Sequence, residues 1–208
     1  MLKIDIQNKR YSNKTILKDV KVDVLENGLY GIVGKNGSGK TTFFNCLTHL
    51  TTFEGTIHFN EKPLHPSQVA FIPTEPFLYD YLSVGEFTSF YCQLMKIKGN
   101  KNVTFDVDTK LLVKELSTGM RKKAYINAVF QKDYDIYIFD EPYNGLDIES
   151  VYVLRKIIKQ LSENHIVFVS SHLLESLYES KAIYVLQNEH FQKILPKDFP
   201  KIETMLFE

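Results

Sequence analysis

The spacing of apolar and polar positions changes several times along the chain, and each change predicts an element. Over residues 2–7, Leu2, Ile4 and Ile6 alternate with Lys3, Asp5 and Gln7, the period of a half-buried strand. Tyr11-Ser12-Asn13-Lys14 reads as a turn. Ile16-Leu17 with Val20, Val22 and Val24 reads as a second strand, closed by Asn27-Gly28. Leu29-Tyr30-Gly31-Ile32-Val33 is a short apolar run, the mark of a buried strand, and Phe43, Phe44, Leu47 and Leu50 then recur at helical spacing. Residues 56–59 and 69–72 read as strands, the latter stopped by Pro73. Leu82-Ser83-Val84 opens a helix carrying Phe87, Phe90, Tyr91, Leu94 and Met95, with Ser83 and Glu86 spaced as a capping box. Lys98 to Asn102 is a polar loop.

In the second half, Ser117 begins a helix running through Ala124, Ile126 and Val129, and residues 135–139 form a buried strand. Val151, Leu154, Ile157, Ile158 and Leu161 mark a long amphipathic helix. Residues 165–169 form a strand, followed by a short helix and a last strand over 182–186; beyond Lys193 no pattern stands out. Strand–helix–strand alternation of this kind predicts an α/β fold, a parallel sheet with helices on both faces. The opening strands have no helix between them and predict an added antiparallel sheet. The expected organisation is one domain over 1–208, with its core in 1–75 and 116–208 and a mostly helical insertion over 76–115.

Composition narrows the function. Lys+Arg and Asp+Glu both number 25, so the formal net charge is zero, which argues against a nucleic-acid partner and the basic footprint it requires. Cys46 and Cys92 are isolated and suit a reducing compartment. The opening Met1-Leu2-Lys3-Ile4-Asp5 is too polar for a leader, and no apolar run approaches the roughly 18 residues of a membrane span. Any membrane part is expected in another chain.

Three stretches carry chemistry. Gly34-Lys35-Asn36-Gly37-Ser38-Gly39-Lys40-Thr41-Thr42 fits the spacing of a phosphate loop, and it lies between a strand and a helix start. Backbone N–H groups there surround an anion at the positive end of the helix. Lys40 can reach outer phosphates, and the Thr41 hydroxyl suits magnesium, a hard cation that prefers oxygen. Ile136-Tyr137-Ile138-Phe139-Asp140-Glu141 ends an apolar strand in two acids, at the end where ligands bind in parallel sheets. Asp140 there can hold magnesium, and Glu141 can orient water and take its proton. Leu116-Ser117-Thr118-Gly119-Met120 is a helix start with a capping Ser117; alone it reads better as an ordinary N-cap, and together with the loop as a second anion site offered to another subunit.

Taken in order, these stretches resemble the nucleotide-binding domain of an ABC transporter, a P-loop NTPase core with a parallel sheet, an added antiparallel β-subdomain and a small helical subdomain. Gly34 to Thr42 is similar to the first Walker motif, Leu116 to Met120 to the family signature, and Ile136 to Glu141 to the second Walker motif. Asn144-Gly145-Leu146-Asp147 resembles the loop that touches the partner subunit, and Ser170-Ser171-His172 the switch-histidine loop. The resemblance implies that ATP and Mg2+ bind here. Lys40, Gly34, Asn36, Gly37, Ser38, Gly39, Thr41 and Thr42 then hold phosphates, and Thr41 and Asp140 the metal. Glu141 becomes the general base and His172 a γ-phosphate contact. Ser117 and Gly119 would reach the nucleotide of a second ATPase subunit, and Asp147 would couple the two sites. Tyr11 stands where the family stacks a ring on adenine, or else is a turn aromatic packed on the sheet.

The implied function is ATP hydrolysis driving a separate transmembrane permease chain from the cytoplasmic face of the cell membrane. Alternatives are a soluble ATPase of the same family working on ribosomes or DNA, and a module that dimerises on ATP with little turnover. The sequence departs from the family pattern at Thr118 and Met120, and the basic run Arg121-Lys122-Lys123 after them resembles a subgroup of drug, peptide or lipid exporters. It departs again at Thr74, where the family carries Gln and where Thr is too short to extend an amide toward magnesium. The compact insertion and C-terminus argue against an extra regulatory domain.

Overall fold

The computed structural model describes residues 1–99 and 103–207. The chain opens with β1 (Leu2–Tyr11) and β2 (Lys14–Val24), an antiparallel pair joined by the two-residue turn Ser12-Asn13, with Ile4 opposite Val22. Next come β3 (Gly28–Val33), α1 (Lys40–Leu47), β4 (Glu54–Phe59) and the short β5 (Lys62–Pro63). β1, β2, β4 and β5 form one antiparallel sheet in the order β2-β1-β4-β5.

β6 (Val69–Ile72), α2 (Val84–Leu94), α3 (Thr118–Val129), β7 (Ile136–Asp140), α4 (Ile148–Asn164), β8 (Ile166–Ser170), β9 (Ala182–Gln187), β10 (His190–Ile194) and α5 (Ile202–Phe207) follow. The second sheet runs β10-β9-β3-β8-β7-β6, parallel except at its β10 edge.

Alternation within the parallel strands sorts the core onto two faces. Ile136, Ile138, Ile166 and Phe168 point to the side where α1 puts Phe43 and Phe44 and the antiparallel sheet puts Leu2, Ile4 and Ile6. Tyr137, Phe139, Val167 and Val169 point the other way, against Ala124 and Val129 of α3 and Leu154 and Ile158 of α4. Both faces are covered, which is why these strands read as unbroken apolar runs.

Several expectations change. α1 stops at Leu47, and Leu50 is 69% exposed rather than on its buried stripe. The segment 76–115 is not mostly helical: among its described residues it holds α2 and one 3-10 turn at Val113–Glu115. Asn127 of α3 supplies the reason. Its Oδ1 accepts the N–H groups of Thr104 and Phe105 and its Nδ2 donates to the Phe105 carbonyl, satisfying backbone groups of a non-helical bend. Within the predicted loop 98–102, residues 100–102 lie outside the described ones. The short helix after His172 is a 3-10 turn, Leu174–Leu177, and the patternless C-terminal stretch folds into the end of β10, a 3-10 segment and α5.

Candidate active site

The loop between β3 and α1 crosses the carboxyl end of the parallel sheet, where β7 and β8 also end. Gly39 caps α1 with φ 114°, a backbone conformation few other residues adopt, and a Cβ there would press within 2.7 Å of Ile16 Cγ2. A cavity of ≈ 480 Å³ opens beside it, where Asn36, Gly37, Lys40 and Thr41 face Thr74, Asp140, Glu141 and His172.

Lys40 is buried to 7% exposure. Its Nζ donates to the Gly34 carbonyl at 2.8 Å and lies 3.4 Å from that of Lys35. Burial lowers its pKa, while the carboxylates of Glu141 and Asp140 work the other way. An ammonium held only by loop carbonyls is ready to exchange them for an anion.

Asp140 is buried at the end of β7. Its Oδ2 accepts from Thr41 Oγ1 and its Oδ1 from Ser170 Oγ, both at 2.6 Å. Its carbonyl accepts from Thr74 Oγ1 at 3.2 Å, so the short Thr74 side chain meets the backbone at the base of the cavity. Ser170 also accepts the Glu141 N–H at 2.9 Å, so one hydroxyl aligns both acids.

Glu141 has φ 47°, a left-handed conformation costing a non-glycine residue about 1–3 kcal/mol. Strain of this kind persists only where surrounding contacts over-determine it. Glu141 Oε2 accepts the His172 N–H at 3.3 Å, and His172 Nε2 lies 2.9 Å from Oε1. That second approach is an ion-pair distance without hydrogen-bond alignment, leaving Oε1 buried with no hydrogen bond.

Other predicted residues lie away from this cavity. Tyr11 is 46% exposed, with Lys9 Nζ 4.1 Å from its ring centre, and does not line it. Ser117 caps α3, its Oγ accepting the Met120 N–H at 3.3 Å. A Cβ on Gly119 would meet the Gly145 carbonyl at 2.5 Å, so the first turn of α3 packs on the 144–147 loop. Asp147 caps α4: Oδ1 accepts the N–H and hydroxyl of Ser150, and Oδ2 pairs with Lys123 Nζ at 2.7 Å. The Lys123 bond first, and then Ser150, hold its carboxyl well below the usual range.

The sequence reading left two residues without a role. Ser170 stood only as part of the histidine loop; the available signal is a polar residue ending an otherwise apolar strand. Lys122 stood in a basic run, yet it falls four and seven residues before Ile126 and Val129, on their buried stripe, and is 1% exposed.

A family profile described as ABC transporter matches residues 17–144, more than half of the chain. The chain belongs to the ABC transporter family, as one of its ATP-binding domains. Among relatives of this ABC domain, the lantibiotic transport ATP-binding protein SrtF of Streptococcus pyogenes is 31% identical, over 85% of this chain and 82% of its own length. An ABC transporter ATP-binding protein of Methanocaldococcus jannaschii is 29% identical, over 85% of this chain and 70% of its own.

Solved structures show the same fold. An ATP-binding subunit of an ABC transporter superposes with TM-score 0.84 at 22% identity, covering 99% of this chain and 93% of its own. The ATP-binding cassette MJ0796, a dimer bound to ADP and Pi, gives 0.82 at 17% identity, covering 94% and 99%. The ABC domain thus has the α/β architecture of a P-loop NTPase.

Proposed function

We propose that this ABC domain binds and hydrolyses ATP to drive a separate membrane-spanning partner, working as part of an exporter on the cytoplasmic face of the membrane. The observation that carries the reading is the shared cavity: the phosphate-loop lysine, the Thr41–Asp140 pair and the Glu141–His172 pair all face it. Relatives named for lantibiotic and bacitracin transport support the transport role, and the Leu-Ser-x-Gly-Met signature supports export. Among the described residues, no helix is long and apolar enough to cross a membrane.

Each group facing the cavity has a part in the steps. Lys40 leaves the Gly34 carbonyl for an outer phosphate oxygen, and the loop N–H groups hold the rest. The Thr41 hydroxyl and Asp140 carboxylate are hard oxygen donors 2.6 Å apart that fit magnesium, and among the described residues no cluster of three His, Cys, Asp or Glu completes a protein-only site. Thr41 and Asp140 would hold the cation, phosphate oxygens and water completing its shell, and it would neutralise charge developing on the phosphates. Glu141, with a buried carboxylate oxygen free of hydrogen bonds, takes the proton of the attacking water, and His172 keeps that carboxylate in place. Ser117 and Gly119 of a second ATPase subunit close the cavity head-to-tail, and Asp147 lies between the two sites.

The membrane partner docks on the aromatic surface before and along α2, where Phe77, Tyr79 and Tyr81 are exposed and Tyr79 packs edge-on against Phe77 and Phe90. Charge substitutions at Phe77 and Tyr81 should uncouple transport and spare basal hydrolysis. Unchanged transport would place the docking surface elsewhere. ATP hydrolysis by the purified chain tests the reading as a whole: turnover should require magnesium and should vanish in Glu141→Gln, while wild-type turnover in that variant removes Glu141 as the base.

A further inference from the structure

Lys122 is a lysine with almost no surface. Its Nζ lies 2.9 Å from the Asn144 carbonyl, 3.2 Å from that of Glu141 and 3.4 Å from that of Pro142. These carbonyls belong to the turn that leaves β7, and the turn begins at the left-handed Glu141. Burial disfavours the ammonium, while the carboxylates of Asp140, Glu141 and Glu75 favour it. Among the described residues, the hydrogen bonds of this ammonium all go to main-chain oxygens.

An apolar side chain would fill this space without the desolvation cost of an ion. What an apolar residue could not do is gather three carbonyls around one point and so set the path of the backbone at the base. The Ser170 hydroxyl holds the N–H side of Glu141 and Lys122 holds its carbonyl side. Between them the residue stays in its left-handed conformation with its carboxylate against His172.

We infer that Lys122 is a positioning residue that sets the Glu141 carboxylate for proton abstraction and ties it to α3. The inference rests on the reading of Glu141 as the base. Lys122 lies five residues beyond Ser117 on the same helix, so the ammonium links the base of one cavity to the helix end offered to the next. A shift of α3 when its N-terminus meets a partner's phosphate moves the Glu141–Asn144 turn with it.

The test uses the purified full chain with Mg-ATP, measuring kcat, KM and equilibrium ATP binding for the wild type, Lys122→Met, Lys122→Arg and Glu141→Gln. Lys122→Met should lower kcat roughly 10- to 100-fold through misplacement of the base, with KM and ATP affinity unchanged. Lys122→Arg, which keeps the donors and the charge, should recover most of the loss. Should Lys122→Met not fold, Lys122→Leu, also apolar and without a donor, carries the same comparison. Wild-type kcat in Lys122→Met, or a loss of ATP binding as large as the loss of kcat, overturns the inference. If Glu141→Gln is inactive and Lys122→Met is not, only the role of Lys122 fails. If Glu141→Gln turns over normally, the base assignment fails and takes this inference with it.

Discussion

The loop cavity and the Ser117 end of α3 are both assigned to phosphate in the proposed function, yet they are finished to different degrees. At the cavity, the Lys40 ammonium rests on loop carbonyls that an anion can replace, and the acceptor Glu141 Oε1 makes no hydrogen bond. At the α3 end, the polar groups are occupied at home. Ser117 caps its own helix, Asp147 caps α4 and pairs with Lys123, and Gly119 is pressed on the Gly145 carbonyl. One region is a site that lacks a cover; the other is a firm surface that lacks a site. On the proposed function, the difference teaches that one copy carries the reacting groups and a second copy encloses them.

Substitutions at four residues break or sharpen this contrast. The largest effect belongs to the cavity: Glu141→Gln should lower kcat by about 10²- to 10⁴-fold while ATP still binds, measured as phosphate release against nucleotide binding. At the other surface, Ser117→Arg should cost on the order of 100-fold in kcat, again with binding by the isolated chain intact. If Ser117→Arg weakens binding instead, the α3 end belongs to the chain's own cavity and the contrast is wrong.

Ser170→Ala removes the hydroxyl shared by Asp140 and Glu141 without adding bulk at the buried β8 end. It should cost about 10-fold in kcat by loosening both acids, and Ser170→Thr should restore activity. The smallest effect is on stability. The folded-state pKa of Asp147 is depressed, so its contribution is complete above the unfolded value of about 3.9 and is lost as pH falls toward the lower folded value. Asp147→Ala should melt slightly below the wild type at neutral pH, and the gap should close in acid.

Where local chemistry decides structure, the sequence was enough. The capping box of Ser83 and Glu86 forms as its spacing predicts, and Ser117 caps α3. The phosphate loop and the two acids ending β7 were legible because each residue type has its own reason to be there. Lys122 and Ser170 were not, because their roles come from partners about 20 to 30 residues away in the chain. β10 escaped notice for a related reason. It is an edge strand with little alternation, reached through Asn188-Glu189 rather than a glycine turn, and it is held by Phe191 packing edge-on against Phe43 at 4.8 Å. The bend at Thr104-Phe105 has its backbone satisfied by Asn127 of α3, which no local pattern in that stretch announces.

The most direct measurement is a structure of the Glu141→Gln chain held with Mg-ATP. The account predicts a head-to-tail pair in which Ser117 Oγ and the Gly119 N–H stand about 3 Å from the γ-phosphate gripped by Lys40 of the other copy. ATP bound in a closed pair with Ser117 and Gly119 remote from every phosphate would contradict it.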